Sequence, residues 1–301
     1  MDPLVAGASG EMSLGSGRSN GYLEGIRRAE HEGLIVYAGP EVDTRSAISD
    51  SYSHIAPGDG APLSLKYTNT RPLSFLARQI LGLYKDEPDI RFLELGPGAG
   101  VACAAVSRLL PAAEIDTVSL TPLNPYLRFR WDDVYGHIAE TGLPKNSLSY
   151  FCEPCSVPFV RRQYIGRFPG GIRPRRNDHH FVYDDHGPVF YDFDHGTEAA
   201  AELGRASVSA ALSLLRPDGT MVIMASDGSC HMEEALESMT SERDVVIICK
   251  RTSDYHSFPC IAARAGSPLA ARLRESKDAP ARVLRLEASE LENVIAKVCV
   301  L

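Results

Sequence analysis

A short apolar segment that runs into closely spaced glycines constrains the fold of this chain more than any other feature. Residues 90–95 (IRFLEL) have the composition of a buried strand, and residues 99–110 (AGVACAAVSRLL) have that of an apolar helix. Gly96, Gly98 and Gly100 lie between them. Glycine permits a tight turn and the close approach of a ligand, and the first N–H groups of a helix attract acidic ligand groups. Strand, turn and helix in this order indicate an α/β fold with a binding site at the turn.

The spacing of the glycines separates two classes of nucleotide-binding turn. Dinucleotide-binding folds typically have G-x-G-x-x-G, whereas this chain has E-x-G-x-G-x-G with Glu94 two residues before the first glycine. This pattern resembles motif I of the class I S-adenosylmethionine-dependent methyltransferases. The resemblance implies that the glycine turn passes beneath the methionine part of the cofactor and that Glu94 helps to hold its amino group. A strand followed by a Gly-Pro-Gly turn also occurs as simple punctuation between elements.

Two later segments resemble the same family in the same order along the chain. Residues 214–224 (LLRPDGTMVIM) are similar to the L-x-P-G-G sequence that precedes the fifth strand in these methyltransferases, and 244–250 and 258–264 form two strands of a closing hairpin. We therefore expect an α/β fold with a seven-stranded, mostly parallel Rossmann-like methyltransferase sheet. Its last two strands would form an antiparallel hairpin, and helices would cover both faces. The third and fourth strands are expected at 148–152 and 179–183.

Composition along the chain suggests four parts. Residues 1–20 are small and rich in glycine and serine, so we expect a disordered leader. An N-terminal extension at 21–64 would precede the methyltransferase core at 65–265, which would contain an insertion at about 153–178. Residues 266–301 would form a C-terminal appendage.

The resemblance nominates cofactor-binding residues in the loops that follow the strands. In this family the second strand usually ends in an acidic residue that binds the ribose, but Asp116 comes too early for that task and no carboxylate follows it in the expected window. Ser119, Thr121 or Asn124 would then contact the ribose. The remaining nominated residues are Tyr67 and Arg71 near the cofactor carboxylate, Glu94, Gly96, Gly98 and Gly100 at the turn, Glu153 at the adenine, and Asp184 after the fourth strand.

Reactive side chains are most concentrated in residues 184–196 (DDHGPVFYDFDHG), directly after the fourth strand. Ligands of open α/β sheets bind beyond the carboxyl ends of the strands. The candidate catalytic residues are therefore Asp185, His186 and Tyr191, as bases that remove a proton from an oxygen nucleophile or a protonated amine. Each also has an ordinary interpretation as a structural residue of the loop. The N/D-P-P-Y/F tetrad of adenine and glutamine N-methyltransferases is matched only at Pro188 and Phe190, which disfavours that subclass.

Residues 161–176 (RRQYIGRFPGGIRPRR) carry six arginines, no acidic residue and the aromatic residues Tyr164 and Phe168. The segment has two interpretations, an insertion that binds an anionic partner or a solvated loop. Residues 159–165 also resemble a partly buried strand. The net charge of −8 disfavours nucleic acid as a partner. We expect a small-molecule or protein substrate, which would be anionic if these arginines bind it. The alternative function is a non-catalytic protein of the same fold that binds an anionic partner through this insertion.

The sequence also bears on location and on other cofactors. It has no run of about 18 apolar residues and no signal-peptide pattern, so we expect a cytoplasmic protein without a membrane partner. Cys152 and Cys155 form one C-x-x-C, but no second pair completes a zinc site. We expect no metal, and S-adenosyl-L-methionine as the cofactor. The glycine spacing disfavours a nicotinamide-dependent oxidoreductase.

Overall fold

The computed structural model describes residues 31–37, 73–97, 101–119, 160–166, 168–169, 174–189, 198–225, 230–250, 258–276 and 282–300. Within these residues nine strands form one sheet. The strands are β1 (Ile35–Tyr37), β2 (Arg91–Leu95), β3 (Glu114–Ser119), β4 (Val160–Ile165), β5 (His179–Asp184), β6 (Leu215–Ala225), β7 (Val245–Cys249), β8 (Phe258–Ala263) and β9 (Val283–Leu286). The helices are α1 (Phe75–Leu81), α2 (Val101–Leu109), α3 (Glu198–Leu214), α4 (Cys230–Met239), α5 (Pro268–Glu275) and α6 (Ala288–Val300).

The strand order is β1-β4-β3-β2-β5-β6-β8-β7-β9. β8 runs antiparallel to β6 and β7, and the other neighbouring pairs are parallel. The seven neighbouring strands from β4 to β7 are mostly parallel and include the expected antiparallel hairpin, which confirms the predicted fold class. The order reverses between β2 and β5, so the crevice beyond their carboxyl ends is the topological switch point where such sheets bind ligands.

Helices lie on both faces of the sheet because of the handedness of its crossovers. The chain leaves β2 through α2 and returns at β3 on one side, and it leaves β5 through α3 and returns at β6 on the other side. Right-handed crossovers in opposite directions place their helices on opposite faces. The central strands are accordingly buried on both faces, and every residue of β5 is buried. None of the helices in the described ranges combines the length and apolar character needed to cross a bilayer.

Three details differ from the sequence-based prediction. The sheet has nine strands rather than seven, since β1 adds to β4 and β9 adds to β7. The strand beside β3 is Val160–Ile165; the segment predicted for that place, 148–152, lies outside the described residues. The middle of the predicted insertion is therefore a buried strand. The predicted C-terminal appendage supplies β9 to the sheet, and α6 packs against α1 and α5.

The amino ends of the parallel strands carry a network of ion pairs. Arg161 Nε lies 2.9 Å from Asp116 Oδ1, and Arg161 also pairs with Glu114. His179 Nε2 lies 3.1 Å from Asp116 Oδ2. Burial alone would raise the pKa of Asp116, but the hydrogen bonds from His179 and Arg161 bring that pKa below its ordinary value. Arg161 is thus engaged by carboxylates of β3 and only partly exposed.

Candidate functional site

The carboxyl ends of β2 and β5 lie side by side at the switch point. Leu95 pairs with Asp184 in the register of the two strands, so the glycine turn after β2 and the loop after β5 begin at the same level. On the other side of β2, the Gly96 N–H donates to the Val118 carbonyl of β3 at 2.8 Å. The predicted cofactor turn and the predicted catalytic loop are therefore neighbours.

Two glycines allow these loops to touch. Gly96 has φ +71°, in the left-handed region that favours glycine. A Cβ added to Gly96 would lie 2.6 Å from Gly187 Cα, and one added to Gly187 would lie 2.2 Å from the Leu95 carbonyl oxygen. The space between the loops is filled by backbone, and any side chain at either position would force them apart.

Glu94 is buried against the first turn of α2. It is 2% exposed, and the Cys103 thiol donates to its Oε2 at 2.8 Å. Burial, with smaller contributions from the charges of Asp185 and Asp184, raises the pKa of Glu94 to about 8, although bonds from the Cys103 thiol and backbone act in the opposite direction. The carboxyl groups of Glu94, Asp184 and Asp185 therefore lie close together at this end of the sheet.

Asp184 shapes the loop after β5. Its Oδ1 accepts from the Gly187 N–H and its Oδ2 from the Val189 N–H, each at 2.9 Å. Asp184 is fully buried, and these bonds satisfy backbone donors that the turn would otherwise leave without partners. The structure thus gives Asp184 a role in forming the loop, and its predicted contact with a cofactor stays a prediction.

Asp185 and His186 form a close pair in the same loop. His186 Nδ1 lies 2.6 Å from Asp185 Oδ1, and the two side chains are 18% and 7% exposed. His186 has φ +59°, which is uncommon for a residue with a side chain. Backbone strain of this kind is found at functional sites when the surrounding structure enforces it. The Tyr183 hydroxyl donates to the second oxygen, Asp185 Oδ2, at 3.3 Å.

The structure brings together Glu94, Gly96, Asp184, Asp185 and His186, five of the residues predicted for the site. Ser119 ends β3 at the same edge of the sheet, where its carbonyl accepts from the Gly166 N–H at 2.8 Å. The other predicted site residues lie outside the described residues and remain predictions: Tyr67, Arg71, Gly98, Gly100, Thr121, Asn124, Glu153 and Tyr191. Within the described part of the chain, no group of three or more His, Cys, Asp or Glu side chains is arranged to hold a metal ion.

Sequence reasoning missed Tyr183, Cys103 and Gly187 as parts of this site. One signal for Tyr183 was present, because residues two apart on a strand point to the same face and Tyr183 precedes Asp185 by two. Nothing local to the sequence pairs Cys103 with Glu94 or Gly187 with Gly96, since both contacts depend on how β2, α2 and β5 pack.

The described part of the arginine-rich segment lies away from the switch point. Arg161 and Arg162 are at the amino end of β4, and Arg175 and Arg176 precede the amino end of β5, opposite the switch point. The two aromatic residues of the segment, Tyr164 and Phe168, are buried and 9% and 8% exposed. Both rings therefore belong to the core of the protein.

No protein-family model matches the sequence, and no curated protein matches it. Among solved structures, the chain is similar to a predicted O-methyltransferase from Agrobacterium tumefaciens, with 14% identity over 72% of this chain and 96% of that one and a TM-score of 0.35. It is also similar to a TehB-like SAM-dependent methyltransferase from Corynebacterium glutamicum, with 13% identity over 83% of this chain and 100% of that one and a TM-score of 0.35. The chain is also similar to an rRNA methylase from Streptococcus thermophilus, with 11% identity over 63% of this chain and 94% of that one and a TM-score of 0.37.

These sequence identities and TM-scores are too low to indicate the activity of this chain. The strand order, the hairpin and the position of the glycine turn define the fold itself. It is the Rossmann-like fold of the class I methyltransferases, extended by one strand at each edge. The subfamily is not identified.

Proposed function

We propose that this chain is an S-adenosylmethionine-dependent methyltransferase whose acceptor loses a proton when it is methylated, with a hydroxyl group as the acceptor. The observation that carries the proposal is the meeting of the glycine turn and the Asp185–His186 pair at the switch point of the sheet. The fold alone would not suffice, because one fold hosts many functions. The side chains at the site supply the argument.

The charge of the site suits this cofactor. S-adenosylmethionine carries a sulfonium and an ammonium group, and the site contains the carboxyl groups of Glu94, Asp184 and Asp185, whose mutual repulsion contributes to the raised pKa of Glu94. A cation placed among these groups would relieve that repulsion. Glu94 and the backbone at Gly96 would hold the methionine part, and Ser119 would face the ribose. When bound, the cofactor supplies a methyl group activated by the positive charge on sulfur.

His186 is the candidate base. An ionised carboxylate only accepts hydrogen bonds, so the 2.6 Å contact assigns a proton to His186 Nδ1 and the lone pair of the neutral ring to Nε2. His186 Nε2 would take the proton of the acceptor hydroxyl as the new bond to carbon forms. Asp185 would fix the tautomer and stabilise the imidazolium. Most of the rate enhancement would come from aligning the acceptor, the methyl group and the leaving sulfur.

The exposed arginines of residues 161–176 take no part in methyl transfer under this proposal. Arg162, Arg175 and Arg176 are exposed, but they lie at the opposite end of the sheet from the candidate base. An anionic partner bound there would occupy a surface separate from the methyl-transfer site. None of the contacts described for this segment favours the non-catalytic alternative.

Calorimetric titration tests the cofactor part of the proposal. We expect micromolar binding of S-adenosylmethionine and S-adenosylhomocysteine and none of NAD. Glu94→Gln should weaken the binding of both ligands, whereas Glu114→Gln, at the other end of the neighbouring strand, should leave it unchanged. Absence of heat from both ligands would refute the proposal.

Transfer of a radiolabelled methyl group tests the acceptor part. The acceptors would be a panel of phenols, aliphatic alcohols and primary amines. We expect a phenol or alcohol to be labelled, and His186→Gln to lose at least a hundredfold in rate while still binding the cofactor. Undiminished labelling by His186→Gln would remove the histidine from the mechanism, and labelling of amines alone would refute the hydroxyl acceptor.

A further inference from the structure

Tyr183 occupies a position that neither the glycine motif nor the catalytic loop explains. It is the fifth residue of β5 and is fully buried. Its ring lies 6.4 Å from the ring of Phe92, centre to centre. A phenylalanine would provide the same apolar packing, so the hydroxyl needs a separate explanation.

Among the described residues, the hydroxyl is bonded by the backbone and the side chain of Ser74 and by the Asp185 carboxylate. Both Ser74 bonds lower the pKa of Tyr183, as donors to its oxygen do, and this chemistry fixes the direction of the hydroxyl. The Ser74 N–H lies 3.2 Å from the Tyr183 oxygen and can only donate. The single proton of the phenol is therefore directed to Asp185 Oδ2, 3.3 Å away. Burial, together with the nearby charge of Asp185, keeps the pKa of Tyr183 well above its ordinary value, so the hydroxyl retains this proton at physiological pH.

Ser74 anchors the arrangement to helix α1. Its side chain accepts from the Ala77 N–H at 3.2 Å and caps the first turn of α1. The backbone that donates to Tyr183 is thus tied to a helix. Donors reach the Asp185 carboxylate from two sides: the Tyr183 hydroxyl, itself bonded by the Ser74 amide, donates to Oδ2, and His186 Nδ1 contacts Oδ1.

We infer that Tyr183 is a positioning residue, which holds Asp185 in the orientation that presents its other oxygen to His186. The inference rests on the proposed function, in which His186 is the base. A carboxylate bonded at one oxygen can rotate about its terminal torsion, which has broad minima, whereas one bonded at both oxygens has a fixed plane. Fixing that plane also fixes the ring of His186 and hence the position of Nε2.

The reactivity of His186 with diethyl pyrocarbonate tests the inference without an acceptor or a cofactor. The reagent modifies the neutral imidazole, and peptide mass spectrometry measures the rate at His186 alone as a function of pH. Tyr183→Phe removes only the hydroxyl. Without that donor the Asp185 charge acts more strongly on His186, so we expect modification at pH 7 to slow at least threefold and its pH profile to move to higher pH.

Two variants provide the controls. Asp185→Asn removes the charge and should move the profile in the opposite direction, to lower pH. Tyr84→Phe is the matched control, because Tyr84 is also buried and its hydroxyl contacts the Asp218 carbonyl at 3.0 Å and Thr220 Oγ1 at 2.8 Å, at the amino end of the sheet. It should leave the His186 rate and profile unchanged. A Tyr183→Phe profile that coincides with that of Tyr84→Phe, or that moves to lower pH, would overturn the inference.

A second pair of variants applies if Tyr183→Phe does not fold. Ser74 has φ −57°, which proline adopts without strain. Both Ser74→Pro and Ser74→Gly remove the Ser74 side chain, and with it the cap of α1 and the side-chain bond to Tyr183. Only Ser74→Pro also removes the amide donor to Tyr183. The inference requires Ser74→Pro to alter the His186 profile more than Ser74→Gly, and equal profiles would overturn it. Titration with S-adenosylmethionine on the same samples separates this inference from the proposed function. If the protein does not bind the cofactor but Tyr183→Phe still changes the His186 profile, the methyltransferase proposal is refuted and the positioning role of Tyr183 is supported.

Discussion

Replacement of Gly96 by alanine tests whether the glycine turn and the catalytic loop touch as described. Two separate penalties are expected. The first is conformational, since φ +71° lies in the left-handed region, where a side chain costs about 1–2 kcal/mol. The second is steric, because the new Cβ would lie 2.6 Å from Gly187 Cα, and overpacking of this kind typically costs about 1–3 kcal/mol. The sum is about 2–5 kcal/mol.

Two other glycines separate these penalties. Gly33 has φ +70° and nothing within 4 Å of an added Cβ, so Gly33→Ala reports the conformational penalty alone, about 1–2 kcal/mol. Gly82 has φ −58° and is equally open. Gly82→Ala should therefore stabilise the protein by about 0.5 kcal/mol by restricting the unfolded chain.

Urea denaturation at pH 7 and thermal melting would measure these differences. For a domain of this size, about 1 kcal/mol corresponds to a change in Tm of about 2 °C. We expect Gly96→Ala to melt several degrees below Gly33→Ala. If the two variants agree within about 0.5 kcal/mol, the contact between the two loops does not exist in the folded protein, and the assembly of the candidate site at the switch point is refuted.

Buried charges give further predictions. Because burial raises the pKa of Glu94 to about 8 from an ordinary 4.5, folding takes up a proton between these pH values and the wild-type protein should lose stability as pH rises through them. Glu94→Gln should abolish that slope, matching wild type at pH 4 and exceeding it at pH 9 by about 5 kcal/mol; parallel slopes in urea titrations would contradict this. Cys103→Ala removes a hydrogen-bond donor and should raise the pKa of Glu94 further, so that stability continues to fall at higher pH. Cys103→Ser keeps a donor and should not have this effect. Asp116→Asn breaks a buried pair and should cost about 3–5 kcal/mol in the same assay at pH 7. Asp218→Asn, in a half-exposed pair with Arg216, should cost less than about 1 kcal/mol, and equal losses would refute the role of burial.

Sequence reasoning predicted the elements whose signal is local. β2, β5 and β6 are buried apolar segments in or beside recognisable motifs. Because ligands bind beyond the carboxyl ends of the strands, Glu94 and His186 were expected near each other at that end of the sheet. β4 was missed as the third strand because VRRQYI contains two adjacent arginines. Arg161 is compatible with a strand in the sheet only because Asp116 and Glu114 on β3 neutralise it, and that pairing joins residues 45 and 47 positions apart.

The site was predicted less completely than the sheet. Asp185 and His186 are adjacent in sequence, so their chemistry was visible, but the distance and direction of their contact were not. The bonds of Asp184 within the loop were not predicted, because nothing local to the sequence shows that the Gly187 and Val189 N–H groups need an acceptor. The hydroxyl of Tyr183 became informative only once Ser74, 109 positions earlier in the chain, was found to donate to it.

The edge strand β9 also has a practical consequence for anyone who shortens this protein. All five residues of β7 are buried, and β9 pairs along one side of it. A version that ends after β8 would expose a flat apolar strand with open backbone groups, a template for pairing between molecules. By contrast β9 is four residues long, only partly buried, and carries Arg285, so it makes a poor template. We expect a protein truncated at Gly266 to aggregate on expression even if its candidate site is intact, and the last 35 residues of the chain to be required for a monodisperse preparation.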